Sequence, residues 1–372
     1  MSDTPELLPV GFRDRLAPVA ERGAAIERSI LAVLAGHGYD RVDPPLAETE
    51  QALVERSAGS KRTDHLRFTD PISQRTLALR TDLTTQIGRI AATRLADAPR
   101  PLRLCYAGQV LRLRSSQLRP ERQMTQIGAE IVGSDEIAAA REVVGIAIEA
   151  LQAAGVTGIT VDFTLPDLVD RLAETRYPLN AETLEAVKAE LDSKDAGGLA
   201  ALGAHDYLPL ISAAGPYHEA LRKLEALDAG GALASRLEGL RAIALPIADD
   251  IRLTLDPTER HGFEFQSWLG FSLFVAGPPR EVGRGGTYTI FHEDGTEEKA
   301  TGFSLYADAI VATAPPTERR RLFLPFGTAP ATGASLRAEG WVTVQALEEG
   351  DTPEAQLCTH ILADGQPQAI AG

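Results

Sequence analysis

Between residues 19 and 35 apolar side chains recur every three to four positions. Val19, Ile26, Ile30, Val33 and Leu34 share one face, and Gly36 and Gly38 close the run. That period predicts an amphipathic helix. YDRVDPPLAE (39–48) reads as a short strand broken by a proline pair. LRFTDPISQRTLALR (66–80) reads as two strands joined by a turn containing Asp70, Pro71 and Ser73, a hairpin. DLTTQIGRIAATRL (82–95) returns to helical spacing, with Leu83, Ile87 and Ile90 on one face. Residues 102–111 and 123–133 are predicted strands on either side of an arginine-rich loop. Ser134 is the expected cap of a long helix over 135–153 that ends at Gly155, and ITVDFT (159–164) is a further strand.

The texture changes near residue 167. From there to 244 the chain is rich in Leu and Ala, helical in period and punctuated by glycine pairs, which predicts a helical insert over 167–244. Strand patterns resume at IRLTL (251–255) and FEFQSWLGFSLFVAG (263–277). GRGGTY (283–288) is then expected to be a hairpin turn leading into a strand at 287–291. After Pro315 and Pro316, LFLPF, SLRAEGW, WVTVQAL, TPEAQLC and THILADG alternate as strand, helix, strand, helix, strand. The expected division is a core in two parts, 1–166 and 245–314, interrupted by the insert and followed by a small α/β module at 315–372.

Composition narrows the picture without naming a function. The chain has 372 residues, is 44% hydrophobic and 24% charged, and carries 37 Lys+Arg against 52 Asp+Glu for a formal charge of −15. That balance disfavours non-specific nucleic-acid binding. Cys105 and Cys358 are far apart and fit no disulfide framework or metal spacing, which suits a reducing cytoplasm. The seven histidines are scattered, and no metal or cofactor is expected. No signal peptide and no apolar run of ~18 residues is evident, so no membrane association is expected.

Against this acidic background, LRLRSSQLRPERQMTQIGAEIVG (111–133) concentrates Arg112, Arg114, Arg119 and Arg122. Guanidinium forks there could clamp a triphosphate, follow a nucleic-acid backbone, or form a solvated, salt-bridged face. Gln126, Gly128 and Glu130 alternate along the return strand and share one face. With Arg112 they line a polar pocket, or else they are the solvent side of an amphipathic strand. Asp82 and Thr84 open a helix after a strand, and the plainer reading is an acidic residue at a helix N-terminus.

Taken in order, LLPVGFRDRL, GYDRVDPPLAE, FTDPISQRTLALRTDLTTQIGR and YAGQVLRLR…ERQMTQIGAEIVG closely resemble the catalytic core of histidyl-tRNA synthetases. The resemblance is strong over 7–165 and weaker over 251–310. It implies an α+β, class II aminoacyl-tRNA synthetase-like fold, an antiparallel sheet flanked by helices, with the insert and the C-terminal module added. It further implies a histidine pocket. Asp82 and Thr84 match positions that hold the ammonium group. Arg112, Gln126 and Glu130 face the amino acid, and Tyr288 matches the tyrosine of a glycine-rich strand.

The departures from that family point away from amino-acid activation. Arg114 stands where the family has a carboxylate that reads ATP and the tRNA acceptor end. Ala309 stands where the third motif has its phosphate-binding arginine. LTLDPT (253–258), matched to the family's Arg-Gly-Leu-Asp-Tyr-Tyr, puts Leu253 in place of an arginine and Pro257 and Thr258 in place of two tyrosines. Such cations stabilise charge during adenylyl transfer and are worth orders of magnitude in rate. Arg122 matches a position near phosphate, and Arg119 is unassigned. The module after Pro316 is shorter than a synthetase's anticodon-binding domain, so tRNA is not an expected partner.

A synthetase-like core with damaged ATP contacts resembles the synthetase paralogues that serve as regulatory subunits of ATP phosphoribosyltransferase. That resemblance implies a non-catalytic chain required by the short-form catalytic subunit. It implies a hetero-octamer in the first step of histidine biosynthesis, L-histidine as feedback ligand, and a homodimer through the first-motif region near 26–48. The alternative is a divergent but active histidyl-tRNA synthetase.

Overall fold

The helical period at the start of the chain becomes α1 (Val19–Gly36), which buries Ile26, Ile30 and Leu34 at intervals of four. Val19, assigned to the same face, is instead 41% exposed at the first position of the helix. The helix ends where Gly38 adopts φ +78 and the Tyr39 amide reaches back to the Leu34 carbonyl, a geometry glycine takes without strain. The computed structural model describes residues 7–54, 65–113, 121–228, 230–260, 266–276, 280–292, 295–313 and 320–370.

Next come β1 (Asp40–Arg41), β2 (Ala47–Thr49), α2 (Glu50–Val54) and the hairpin β3 (Arg67–Thr69) and β4 (Thr76–Leu79). The hairpin turn is held by Asp70, which accepts from the Ile72 and Ser73 amides and the Ser73 hydroxyl. α3 (Thr84–Thr93) leads into the long pair β5 (Leu102–Leu111) and β6 (Gln123–Val132), and then into α4 (Ile137–Ala153) and β7 (Ile159–Thr164). Ser134 does not cap α4. The cap position falls to Glu136, and the Ser134 hydroxyl accepts the Glu136 amide in the preceding turn.

The stretch 167–244 is helical as its period predicts: α5 (Leu168–Thr175), α6 (Ala181–Asp192), α7 (Ala196–Ala201), α8 (Leu208–Ile211), α9 (Tyr217–Leu227) and α10 (Ala234–Ala244). A two-residue strand, β8 (Gly215–Pro216), interrupts it. The remaining strands of the first unit are β9 (Arg252–Leu255), β10 (Gln266–Val275), β11 (Arg280–Phe291) and β12 (Glu297–Tyr306), followed by α11 (Ala307–Thr313).

Nine strands form one sheet in the order β1-β5-β6-β12-β11-β10-β7-β9-β8. Its centre is antiparallel, while β1 with β5 and β7 with β9 are parallel, so the sheet is mixed. Because side chains alternate, each strand serves two faces. On one face Ile127, Ala129 and Ile131 of β6 join α1, α4 and the insert helices in a single core, to which Leu237, Leu240 and Ile243 of α10 belong. Each large apolar side chain buried there contributes about 1.5–3 kcal/mol. The other face carries α3, whose Ile87, with Leu83 just ahead of the helix, packs on Leu104, Tyr106, Val110 and Met124.

GRGGTY is not a turn: it lies inside β11, paired with β10 and β12. A Cβ at Gly283 would lie 2.6 Å from the Ser304 carbonyl oxygen, and one at Gly285 would collide with the Phe271 ring. The glycines give up side chains so that neighbouring strands fit, which a turn reading cannot foresee.

The chain divides into two compact units, Met1–Ala314 and Pro315–Gly372. In the second, β13 (Arg321–Leu324), α12 (Pro330–Ala338), β14 (Val342–Gln345), β15 (His360–Ala363) and β16 (Gln366–Ala369) form a sheet in the order β14-β13-β15-β16. TPEAQLC forms turns rather than the expected helix. Leu357, at φ 53, leaves the helical region and closes the stretch with the Cys358 amide on the Pro353 carbonyl.

Candidate functional site

On the α3 side of the sheet, Gln126, Gly128 and Glu130 emerge from β6 on one face, as their alternation predicts, and all three are buried. Gln126 fastens the start of α3 to the strand. Its Oε1 accepts the Leu83 amide at 3.0 Å, and its Nε2 donates to Asp82 Oδ2 at 2.8 Å and to the Ser304 hydroxyl at 2.7 Å. The other oxygen of Asp82 accepts the Thr84 amide at 2.7 Å, so Asp82 both ties down the start of α3 and belongs to the cluster.

Two tyrosines complete the cluster. Tyr106 lies on β5 opposite Gly128, and its hydroxyl contacts Glu130 at 3.1 Å, Ser304 at 3.0 Å and Thr84 at 3.3 Å. Tyr288 of β11 donates to the second Glu130 oxygen at 3.0 Å. Two glycines make this possible: a Cβ at Gly128 would collide with the Tyr106 hydroxyl, and one at Gly302 with the Glu130 carboxyl. Glu130 is 1% exposed, and burial pushes its carboxyl up to about 8, against the lowering effect of the Tyr288 and Tyr106 hydroxyls. Burial, with Glu130 as neighbour, also drives the Tyr106 and Tyr288 phenols well above their ordinary range.

Five of the six expected pocket residues, Asp82, Thr84, Gln126, Glu130 and Tyr288, therefore belong to one hydrogen-bonded cluster. The sixth, Arg112, stands at its edge with its guanidinium 6.0 Å from the centre of the Tyr306 ring. Tyr306 pairs with Gln126 across β12 and β6, which brings Arg112 to the same end of the site. Arg122 has a structural role: its Nε donates to the Arg112 carbonyl at 3.1 Å and its guanidinium stacks 4.9 Å from the Phe12 ring. Arg114 and Arg119 lie outside the described residues.

The matched LTLDPT run is not gathered at this site. β9, which carries Leu253, is separated from β11 by β10 and β7. Leu253 packs against the main core. Thr258 is 3% exposed and accepts from Lys194 at 2.8 Å, and Lys194 also pairs with Asp256 at 2.6 Å. Thr258 and its neighbour Pro257, both buried, thus sit where the insert joins the sheet. The run HGFEFQ (261–266) carries the same glycine, apolar, acidic, aromatic order, and its last residue, Gln266, pairs with Tyr288. Residues 261–265 lie outside the described residues. Ala309, in α11, packs on the main core.

Tyr106, Ser304 and Tyr306 were not among the expected site residues. All three sit in runs already matched to the family, but only strand register brings them to the cluster. Among the described residues no group of three or more His, Cys, Asp or Glu side chains is set to hold a metal ion. No described helix is long and apolar enough to cross a membrane.

A large mixed sheet with an antiparallel centre, flanked by helices and bearing a polar cluster on one face, defines a class II aminoacyl-tRNA synthetase-like protein. The sequence model of the histidyl-tRNA synthetase family matches residues 11–310. The chain is 44% identical over 367 residues to the ATP phosphoribosyltransferase regulatory subunit of Paramagnetospirillum magneticum, covering 96% of each. It is 42% identical to that of Rhodospirillum centenum, covering 100% of this chain and 98% of the relative. The chain belongs to the family of ATP phosphoribosyltransferase regulatory subunits.

Solved structures share the fold. A Bacillus halodurans protein described as an ATP phosphoribosyltransferase regulatory subunit/histidyl-tRNA synthetase superposes with a TM-score of 0.77 at 21% identity, covering 96% of this chain and 97% of its own. A chain of the ATP phosphoribosyl transferase (HisG:HisZ) complex from Thermotoga maritima gives 0.61 at 18% identity, covering 78% and 98%.

Proposed function

We propose that this chain is the non-catalytic regulatory subunit of ATP phosphoribosyltransferase, required by the short-form catalytic subunit, with L-histidine as its feedback ligand. The observation that carries the reading is similarity along essentially the whole length to relatives of that name. The buried cluster adds a chemical argument. Asp82 and Thr84 offer acceptors to an ammonium group, Arg112 offers a cation to a carboxylate, and Glu130 with Tyr288 offers polar atoms to an imidazole. Ala309, matched to the third motif's phosphate-binding arginine, packs on the main core, which supports loss of aminoacylation.

A hetero-octamer with the catalytic subunit, without tRNA, belongs to the same reading, as does a homodimer through residues 26–48.

The test is turnover by a purified short-form catalytic subunit, alone and with this chain, with and without L-histidine. The expected outcome is activity that depends on the chain and falls when histidine is added. Activity indifferent to the chain sinks the proposal. A second reading, a divergent histidyl-tRNA synthetase, draws on the family match over residues 11–310. It requires histidine-dependent ATP–pyrophosphate exchange, which the first reading expects to be absent.

A further inference from the structure

Arg284 lies on the pocket face of the sheet and was not among the expected site residues. It pairs with Ser304 across β11 and β12, and Ser304 pairs in turn with Gly128 of β6, opposite Tyr106 of β5. Residues facing each other across paired strands emerge on the same side. Arg284 therefore leaves the sheet beside the hydroxyl that already bonds Gln126 and Tyr106.

Its guanidinium is held as a fork. Nε donates to Glu281 Oε1 at 2.6 Å and Nη2 to Oε2 at 2.7 Å. An irregularity in the β10–β11 register, between Leu273 and Phe274, turns residue 281 to the same side as residue 284. The two side chains are only 18% and 12% exposed. A largely desolvated ion pair adds little stability over apolar packing, and with Nε and Nη2 on Glu281 the guanidinium is held in one orientation.

Tyr306 links this pair to Arg112 at the edge of the cluster. It follows Ser304 by two residues and shares its face. Burial raises the Tyr306 phenol, and the opposing influences come from Arg284 and then Arg112. Arg112 lies 6.0 Å from the Tyr306 ring centre, and Arg284 stands opposite Ser304, two residues before Tyr306 on the same face, with the acceptors Asp82 at the helix start and Glu130 on β6.

We propose that Arg284, oriented by Glu281, is a second guanidinium of the pocket and with Arg112 binds the carboxylate of an amino-acid ligand. The inference rests on reading the cluster as an amino-acid site. A ligand with an ammonium group, an imidazole and a carboxylate then meets separated acceptors and cations, while its decarboxylated counterpart brings no anion to either arginine.

Calorimetric titration of the full chain with L-histidine and with histamine tests this. The wild type should bind L-histidine at least about tenfold more tightly than histamine, the scale of one hydrogen bond to a charged group. Arg284→Gln should weaken L-histidine by about tenfold and leave histamine unchanged. Should Arg284→Gln fail to give a cooperative melt, Arg284→Lys carries the test. It keeps the charge without the fork, and the preference for L-histidine should still drop by a factor of about three or more. An unchanged preference in the folded variant overturns the inference while the pocket reading stands. Equal wild-type affinity for the two ligands does the same. Wild-type binding to neither ligand overturns both.

Discussion

Glu130 places a carboxyl almost wholly out of water, with the Tyr106 and Tyr288 hydroxyls on its two oxygens. Burial raises it from the ordinary 4.5 to about 8, with Asp82 adding to the rise. Between those values the folded chain retains a proton that the unfolded chain has lost. The stability this group supplies is therefore complete below about 4.5 and is lost as pH rises through about 8. Glu130→Gln keeps the shape and removes the titration. Urea unfolding of both proteins from about pH 5 to about pH 8 should show the wild type's advantage over the variant shrinking steadily. A difference that stays flat across the window would mean the carboxyl titrates near its ordinary value.

At the scale of elements, the junction of β12 and α11 decides how the pocket strand is held. Pairing of β12 with β6 ends at Tyr306 and Gln126, and Asp308 continues the ladder with a side chain. One oxygen accepts the Thr125 amide at 2.8 Å, and the other pairs with Arg15 at 2.8 Å, while Arg15 also donates to the Thr125 hydroxyl at 3.1 Å. Asp308→Ala leaves that amide, in a residue 6% exposed, without its acceptor, at a cost of about 1–3 kcal/mol. Arg15→Ala leaves the acceptor in place and should cost less. Thermal unfolding measures both, and hydrogen exchange at the Thr125 amide should accelerate in Asp308→Ala. Unchanged protection there would count against this role for Asp308.

The same elements show what was legible beforehand. Gln126, Gly128 and Glu130 could be assigned to one face because a strand has a period of two, and Asp82 because a helix start has its own chemistry. Tyr106 and Ser304 could not be added, since the strand register that sets them beside Gly128 is long-range and no local pattern encodes it. GRGGTY misled for a related reason: its glycines answer to Ser304, Phe271 and Gly302 on neighbouring strands, not to a turn. Leu253 was matched by letter order alone, and the strand order then put β10 and β7 between it and the pocket strands.

For the whole molecule, the division at Ala314 separates two cores of very different size. The second unit buries Leu322, Leu324 and Leu336 with Trp341 and Leu362 packed against them. A unit of about 60 residues hides only about 60% of the surface its unfolded chain exposes, so this one has little stability of its own. The first unit holds the continuous core on α1, α4 and the insert, together with every pocket side chain from Asp82 to Tyr306. The pocket should therefore not depend on the second unit. A chain ending at residue 314 is expected to melt cooperatively and to bind L-histidine as tightly as the full chain. Calorimetry on the two proteins decides this: an affinity reduced by more than about threefold, or a melt without cooperativity, would show that residues 315–372 support the pocket after all. If binding is retained, turnover of the short-form catalytic subunit with the truncated chain then tells whether the small module serves the assembly instead.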